Sequence, residues 1–532
     1  MHGNIQRKGN SITTTRKRPN IVFAFADDWG RYASYYGQFE GPNSINQVIR
    51  TPNFDRIAKE GAVFTNAFVP APSCTPCRSS LLSGRYFWNT GLGAILNGAY
   101  WDESIPTYPL LLEQAGYYIG YTYKVWSPGK SKNAPYGGNR TRYESAGIEF
   151  NNFSHAASRN AKSIGVEEAK QALLEETRNN YRSFRESVPD DSPFCYWWGP
   201  TNTHRTWEKG SGKNLWGLDP DELKERLPNF LPDVKEIRED FNDYLGECMA
   251  FDAGLGVLLE ELAAANELDN TFLVVSGDHG IPGFPRAKCN LYDLGCQVAM
   301  AARWPGNIPP STEVEGFVNL MSLASTFMEA ADVTSPVEMA PSLLELMKGV
   351  DVSSSEWDHV VTGRERHVSS ARENYLPYPQ RAIRTEDYLY IRNFAHERWP
   401  MGDPKGTDDI TCDAPDEELM LTDTRAIFPD VDASPTKAWI VSNRAVKSVT
   451  PLFTLGFGKR PEEELYDLKN DPNYMVNVAY KEGFEETREN LSGKLMQILT
   501  SNKDPRVLDK QCRFDLPPYA GPVPQDWWNW SE

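Results

Sequence analysis

Residues 73 to 85 read SCTPCRSSLLSGR, and three features of that stretch could do chemistry. Cys74 stands just ahead of Pro76, a residue that suits the first turn of a helix. A thiol at a helix N-terminus, or a group made from it, faces free backbone N–H groups and the positive end of the helix dipole. Arg78 follows Cys74 at the spacing that puts two side chains on one helical face. Cys74 and Cys77 also make a C-x-x-C pair, the spacing of redox and zinc sites. No second such pair completes a zinc site, and that reading leaves Pro76 and Arg78 unexplained.

Two further pairs invite a metal. Asp27-Asp28 follows the apolar run NIVFAF, and Asp278-His279 follows TFLVVS. Each run reads as a buried parallel strand. The C-terminal ends of such strands gather at the ligand-binding edge of an open α/β sheet. Carboxylates crowded there need a cation or must take up protons. A single Asp-Asp is more often a solvated turn, but two pairs placed alike favour the metal. Three cationic positions also trail strand-like segments: Lys124 in TYKVWSPG, His204 in GPTNTHR and Lys288 in PGFPRAKCNLYDLG. Such groups can stabilise anionic oxygens and protonate a leaving oxygen, although each alone also reads as a surface cation or a satisfied histidine.

The elements that must position these groups alternate strand with helix. Strands are expected at 20–25, 62–69, 117–123, 194–198, 271–276 and 298–303, with helices at 51–60, 107–116, 166–188 and 233–266. This order predicts an α/β fold, a doubly wound, mixed or mostly parallel sheet flanked by helices. From about residue 370 the pattern changes. RAIRTEDYLYIRN (381–393) alternates like an antiparallel hairpin, and a helix closes at 482–499. The expected organisation is a flexible tail at 1–18 and a catalytic α/β domain at 19–370. A smaller α+β subdomain with an antiparallel sheet follows at 371–510, and a proline-rich extended wrap ending in DWWNW at 511–532.

The bulk numbers exclude some classes. A net charge of −18 argues against nucleic acid as the main partner, yet a local cationic cluster can still receive an anion. Eight Cys in 532 residues make no disulfide framework. No apolar run is long enough to span a bilayer. The first 20 residues are polar and basic, with none of the apolar stretch of a secretory leader. The compartment therefore stays open at this point.

Cys74-x-Pro76-x-Arg78 followed by Ser83-Gly84-Arg85 resembles the signature of type I sulfatases, in the alkaline phosphatase superfamily. Three later stretches fit the same family: ARWPG at 302–306, SLLELMKG at 342–349 and ELYDLKNDP at 464–472. The resemblance implies that a formylglycine-generating enzyme oxidises Cys74 to formylglycine. It also implies a divalent metal held by Asp27, Asp28, Cys74, Asp278 and His279. Calcium is the first expectation, with magnesium, manganese and zinc open, because histidine is a less natural ligand of calcium than an oxygen donor. By the same resemblance Lys124, Lys288 and the metal stabilise the charge on the sulfuryl oxygens, Arg78 flanks the attacking hydroxyl, and His204 protonates the leaving sugar oxygen or nitrogen. One hydroxyl of the formylglycine hydrate attacks sulfur, and the second then expels sulfate. Many sulfatases carry a histidine two or three residues after the first lysine; here Trp126 and Ser127 stand there, so the general base is left unassigned. The KVWSPG form resembles a branch acting on heparan- and algal-type glycans, which implies a sulfated oligosaccharide substrate. It also implies a periplasmic or extracellular protein if a leader precedes it. Two rival readings remain: a phosphate or phosphonate ester hydrolase of the same superfamily, and a non-catalytic glycan-binding protein.

Overall fold

The computed structural model describes residues 18–350 and 355–523. The expected N-terminal tail and the DWWNW end lie almost wholly outside these residues. Seven strands form the main sheet: β1 (Asn20–Ala26), β2 (Ala62–Phe64), β3 (Tyr118–Tyr123), β4 (Phe194–Gly199), β5 (Thr271–Gly277), β6 (Met300–Arg303) and β7 (Thr312–Val314). Their order is β3-β4-β1-β5-β6-β2-β7. β3, β4, β1 and β5 are parallel, with Ile21 opposite Cys195 and Asn20 opposite Thr271. β6 runs antiparallel to both β5 and β2, so the sheet is mixed.

β1 is central and buried along its whole length, which explains its unbroken apolar run. Its alternate side chains enter two different cores. Val22, Ala24 and Ala26 face the long helix Lys235–Ala264, and Ile21, Phe23 and Phe25 face the layer containing Leu81 and Leu82 of the helix Cys74–Ser83. Burying one such large apolar side chain contributes roughly 1.5–3 kcal/mol. Gly254 lets the long helix lie on the sheet: a Cβ there would meet the Trp198 ring at 2.6 Å. That ring stacks on Phe251 at 5.1 Å.

The helices Pro52–Glu60, Tyr108–Gln114 and Val166–Ser187 fall where the apolar periodicity puts them. The single strand expected at 62–69 is two pieces. After Phe64 the chain leaves the main sheet, and Ala67–Phe68 pairs instead with Val318–Asn319. Asn66 marks the break, its amide donating to the Glu315 carbonyl at 2.9 Å.

A second, antiparallel sheet consists of β8 (His359–Arg364), β9 (Gln380–Thr385), β10 (Tyr388–Asn393) and β11 (Glu463–Asp467). It takes its first strand from ahead of residue 371. The helix Glu485–Ser501 follows it. A buried network ties this region together: Arg381 donates to Asp504 at 2.6 Å and to Glu365 at 2.9 Å. Tyr292 donates to Glu464 at 2.6 Å, which joins it to the main sheet's loops. No helix of the described residues is long and apolar enough to cross a membrane.

Candidate functional site

The C-terminal ends of β1 and β5 lie side by side, and the acidic residues that follow them meet. The Asp278 N–H donates to the Ala26 carbonyl at 3.1 Å, and the Asp28 N–H to Asp278 Oδ1 at 2.8 Å. Asp28 adopts a positive φ of 51°, and carboxylate oxygens of Asp27 and Asp28 lie within 4.8 Å of each other and of a His204 ring nitrogen. Thr203 donates to the Asp27 carbonyl and Tyr244 to that of Asp28, so the turn is pinned from two other elements.

Cys74 is the first residue of the helix Cys74–Ser83 and is almost wholly buried. The helix ends on Gly84, whose left-handed φ of 69° suits glycine. Arg78 is fully buried, and its planar fork is spent on the frame of the site. Nε donates to Asp278 at 2.8 Å, Nη2 to Asp27 at 3.1 Å, and Nη1 to the carbonyls of Lys124 and Val125 at 3.1 and 3.2 Å. Lys124 Nζ lies 2.8 Å from each oxygen of Asp27, and Lys288 Nζ lies 2.9 Å from Asp28 Oδ2. His279 Nε2 is 3.1 Å from Asp28 Oδ1 and 3.4 Å from the Cys74 sulfur. His204 stands at the rim, with Nε2 3.9 Å from Asp28 Oδ2. Every site residue expected from the sequence therefore enters one cluster.

The electrostatics of the cluster are strongly coupled. Burial, then the neighbouring Asp27, pushes the Cys74 thiol far up, so the unmodified residue is a neutral thiol and a weak nucleophile. Burial alone would raise Asp27, but Lys124 and Arg78 outweigh it and hold that carboxyl well below the usual range. Burial raises Asp278 despite His279 beside it. Lys288 is held charged because Asp28 and Asp432 outweigh its burial.

The donor set fits a divalent cation. Ligand atoms of Asp28, Cys74 and His279, and likewise of Asp27, Cys74 and Asp278, converge within 4.8 Å of one another. Asp28 Oδ1 is buried and accepts no hydrogen bond. His279 Nδ1 lies 3.2 Å from the Gly280 carbonyl, which fixes its proton there and turns the Nε2 lone pair into the cluster. An unsatisfied carboxylate oxygen and a free imidazole lone pair, both fully buried, are what a cation would complete.

The position of the usual histidine is filled by packing. Trp126 is buried, donates to Ser79 at 2.8 Å and meets Trp101 edge-on at 5.2 Å. Three residues at the site carry no motif in the sequence. His367 Nδ1 lies 2.8 Å from the hydroxyl of Ser73, next to Cys74. Asp432 lies 3.4 Å from Lys288. Arg205, beside His204, is clamped on Asp240 by two contacts of 2.8 Å. The chain's seven histidines are few enough to have marked His367 for attention, but nothing local marks Asp432.

Residues 19–333 match the family model described as Sulfatase. An "Ulvan-active sulfatase" of Formosa agariphila is 25% identical over 494 residues, spanning 92% of this chain and 81% of that protein. The "N-sulphoglucosamine sulphohydrolase" of Homo sapiens is 26% identical over 525 residues, 92% of each chain. Among solved structures, a protein in complex with its substrate D-glucosamine-2-N,6-O-disulfate aligns with a TM-score of 0.60 and 18% identity, over 93% of this chain and 100% of that one. The phosphonate monoester hydrolase of Agrobacterium radiobacter aligns with 0.62 and 16%, over 91% and 96%. These two structures share the fold.

Proposed function

The chain belongs to the sulfatase family, and from that premise we propose that it removes sulfate from a carbohydrate, with Cys74 matured to formylglycine by a dedicated enzyme. Two relatives support a sugar substrate: the Ulvan-active sulfatase and the N-sulphoglucosamine sulphohydrolase, each aligned over 92% of this chain. The observation that carries the reading is the placement of Cys74, buried at a helix N-terminus within a cluster of acids and cations.

Asp27, Asp28, Asp278 and His279 would hold the metal with the residue made from Cys74, and calcium is the ion we favour among oxygen-rich sites. When bound, the cation supplies Lewis acidity and formylglycine supplies a hydrated aldehyde hydroxyl as nucleophile. The protein's own groups do the rest. Arg78 orients Asp27 and Asp278, so its removal disturbs two ligands at once. Lys124 and Lys288 place two ammonium groups beside the nucleophile, where they offset negative charge on sulfuryl oxygens. His204 Nδ1 lies 2.7 Å from the Arg205 carbonyl and so keeps its proton. With Nδ1–H committed to that carbonyl, Nε2, turned to the site, would give the leaving oxygen a proton from the doubly protonated imidazolium.

The test is release of inorganic sulfate from a panel of sulfated oligosaccharides by protein co-produced with a formylglycine-generating enzyme, beside Cys74→Ala. Sulfate release that the substitution abolishes supports the reading. Release of phosphate or phosphonate but not sulfate, from protein whose Cys74 is oxidised by peptide mass, overturns it.

A further inference from the structure

The segment between the helices Glu417–Thr422 and Pro435–Ser442 brings a carboxylate to the rim of the site from far along the chain. Asp432 Oδ2 lies 3.4 Å from Lys288 Nζ, and that ammonium lies 2.9 Å from Asp28 Oδ2. One lysine thus separates Asp432 from the metal cluster. The Asp432 carboxylate accepts no hydrogen bond among the described residues, and its side chain is 19% exposed. Burial would raise its pKa, but Lys288, then His204, His367 and Arg205, hold it ionised.

The backbone around it is fixed rather than loose. Asp430 accepts from Arg364 and Arg372, both at 2.5 Å, and from the Val368 N–H at 2.9 Å. On the other side the Ala433 N–H donates to Thr424 at 3.0 Å, and Ser434 donates to the Gly283 carbonyl at 2.7 Å. Lys437 holds the Val431 carbonyl at 2.7 Å. A carboxylate on so rigid a mount is pre-organised for a ligand.

Its charge is wrong for sulfate. An anionic ester beside it is repelled, and a sulfate group has no proton to donate to it. What a carboxylate with open lone pairs accepts is O–H, and a sugar ring offers several. We propose that Asp432 is a specificity-determining residue, accepting hydrogen bonds from hydroxyls of the sugar that carries the sulfate. This rests on the carbohydrate reading above. Lys288 then serves two sides, sulfate through its charge and Asp432 through its position.

The experiment compares a sulfated monosaccharide with 4-nitrophenyl sulfate, whose leaving group has no hydroxyl to donate, using matured protein. Asp432→Asn should lower kcat/KM for the sugar about 10- to 100-fold, mostly through KM, as for a lost charge-assisted hydrogen bond. The aryl sulfate should lose no more than about threefold. Asp432→Glu, which keeps the charge beside Lys288 but moves the oxygens, should show the same split. In a Cys74→Ala background, which cannot turn over, calorimetry should show the sugar sulfate bound more weakly by a similar factor when Asp432→Asn is added. Equal losses on both substrates would mean that Asp432 acts by holding Lys288, and would overturn the proposal; so would no loss on either. If the parent protein releases sulfate from no sugar, the carbohydrate reading fails and carries this proposal with it. That result differs plainly from an active parent whose variants show no split.

Discussion

The nucleophile position shows how the site works against its own unmodified side chain. Buried at a helix N-terminus yet beside Asp27, the Cys74 thiol stays protonated, so a cysteine there has little reactivity. A Cys74→Ser protein that remains unoxidised can offer one hydroxyl but has no second oxygen on the same carbon to expel sulfate. It should therefore lose more than about 10³ in steady-state turnover, a barrier increase of about 4 kcal/mol. Peptide mass spectrometry should find a sulfo group retained on that serine, and sustained multiple turnover would refute the scheme. Arg78 gives a second prediction. Lysine keeps the charge but cannot reproduce four contacts in one plane. Arg78→Lys leaves Asp27 and Asp278 partly unpaired in the interior and should cost about 3–5 kcal/mol of stability by urea denaturation, with activity lost. Unchanged stability would show that the fork is not what holds the two acids. These residues were legible in the sequence because their chemistry is local: a Cys-x-Pro-x-Arg spacing, or an acidic pair at the end of an apolar run. His367 and Asp432 were not, because each reaches the site through tertiary folding alone, from segments with no pattern of their own.

At the scale of elements, the long helix Lys235–Ala264 does more than cover the sheet. Its Glu247 is buried and accepts from the Ser154 N–H at 3.2 Å and from Asn202 Nδ2 at 3.0 Å. Asn202 belongs to the loop that carries His204, so this carboxyl braces the rim of the site. Burial pushes Glu247 up to about 7 from an ordinary value of 4.5, although its hydrogen bonds oppose the shift. Between those two values the folded protein holds a proton that the unfolded chain has released. Stability from this group is thus full below pH 4.5 and is lost as pH rises through 7. Asp252 on the same helix, also pushed up to about 7, has the same sign. Glu247→Gln should flatten part of this decline, removing at most about 3 kcal/mol of pH dependence. Urea midpoints at pH 5 and pH 7.5, beside the parent protein, would check it; an undiminished slope would clear Glu247 of the role. The elements themselves were readable wherever one periodicity ruled, as in this helix and in β1. The reading failed at 62–69, where Ala62–Phe64 and Ala67–Phe68 are equally apolar but serve different sheets, a distinction set by partners that local pattern does not see.

For the whole molecule, the site is where its two cores meet. β1 and β5 contribute side chains to both, and their ends carry Asp27, Asp28, Asp278 and His279, while the helix starting at Cys74 packs on one face only. An ion shared by these ligands would tie the central strands to that helix and to each other. Because it binds the folded chain and not the dispersed ligands of the unfolded one, it should stabilise the whole fold in proportion to its occupancy. At a free concentration one hundred times the dissociation constant, this linkage is about 2.7 kcal/mol. In a chain of 532 residues that corresponds to a fall of roughly 2–3 °C in Tm on chelation. Matured protein treated with a chelator should therefore melt earlier, and added calcium should restore the transition. Asp28→Asn keeps the shape of its side chain but loses the charge on a buried carboxylate oxygen left without a hydrogen bond, so its melting should be nearly indifferent to chelator. A parent protein whose transition does not move on chelation would show that the converging carboxylates and His279 are balanced by Arg78, Lys124 and Lys288 alone, with no ion among them.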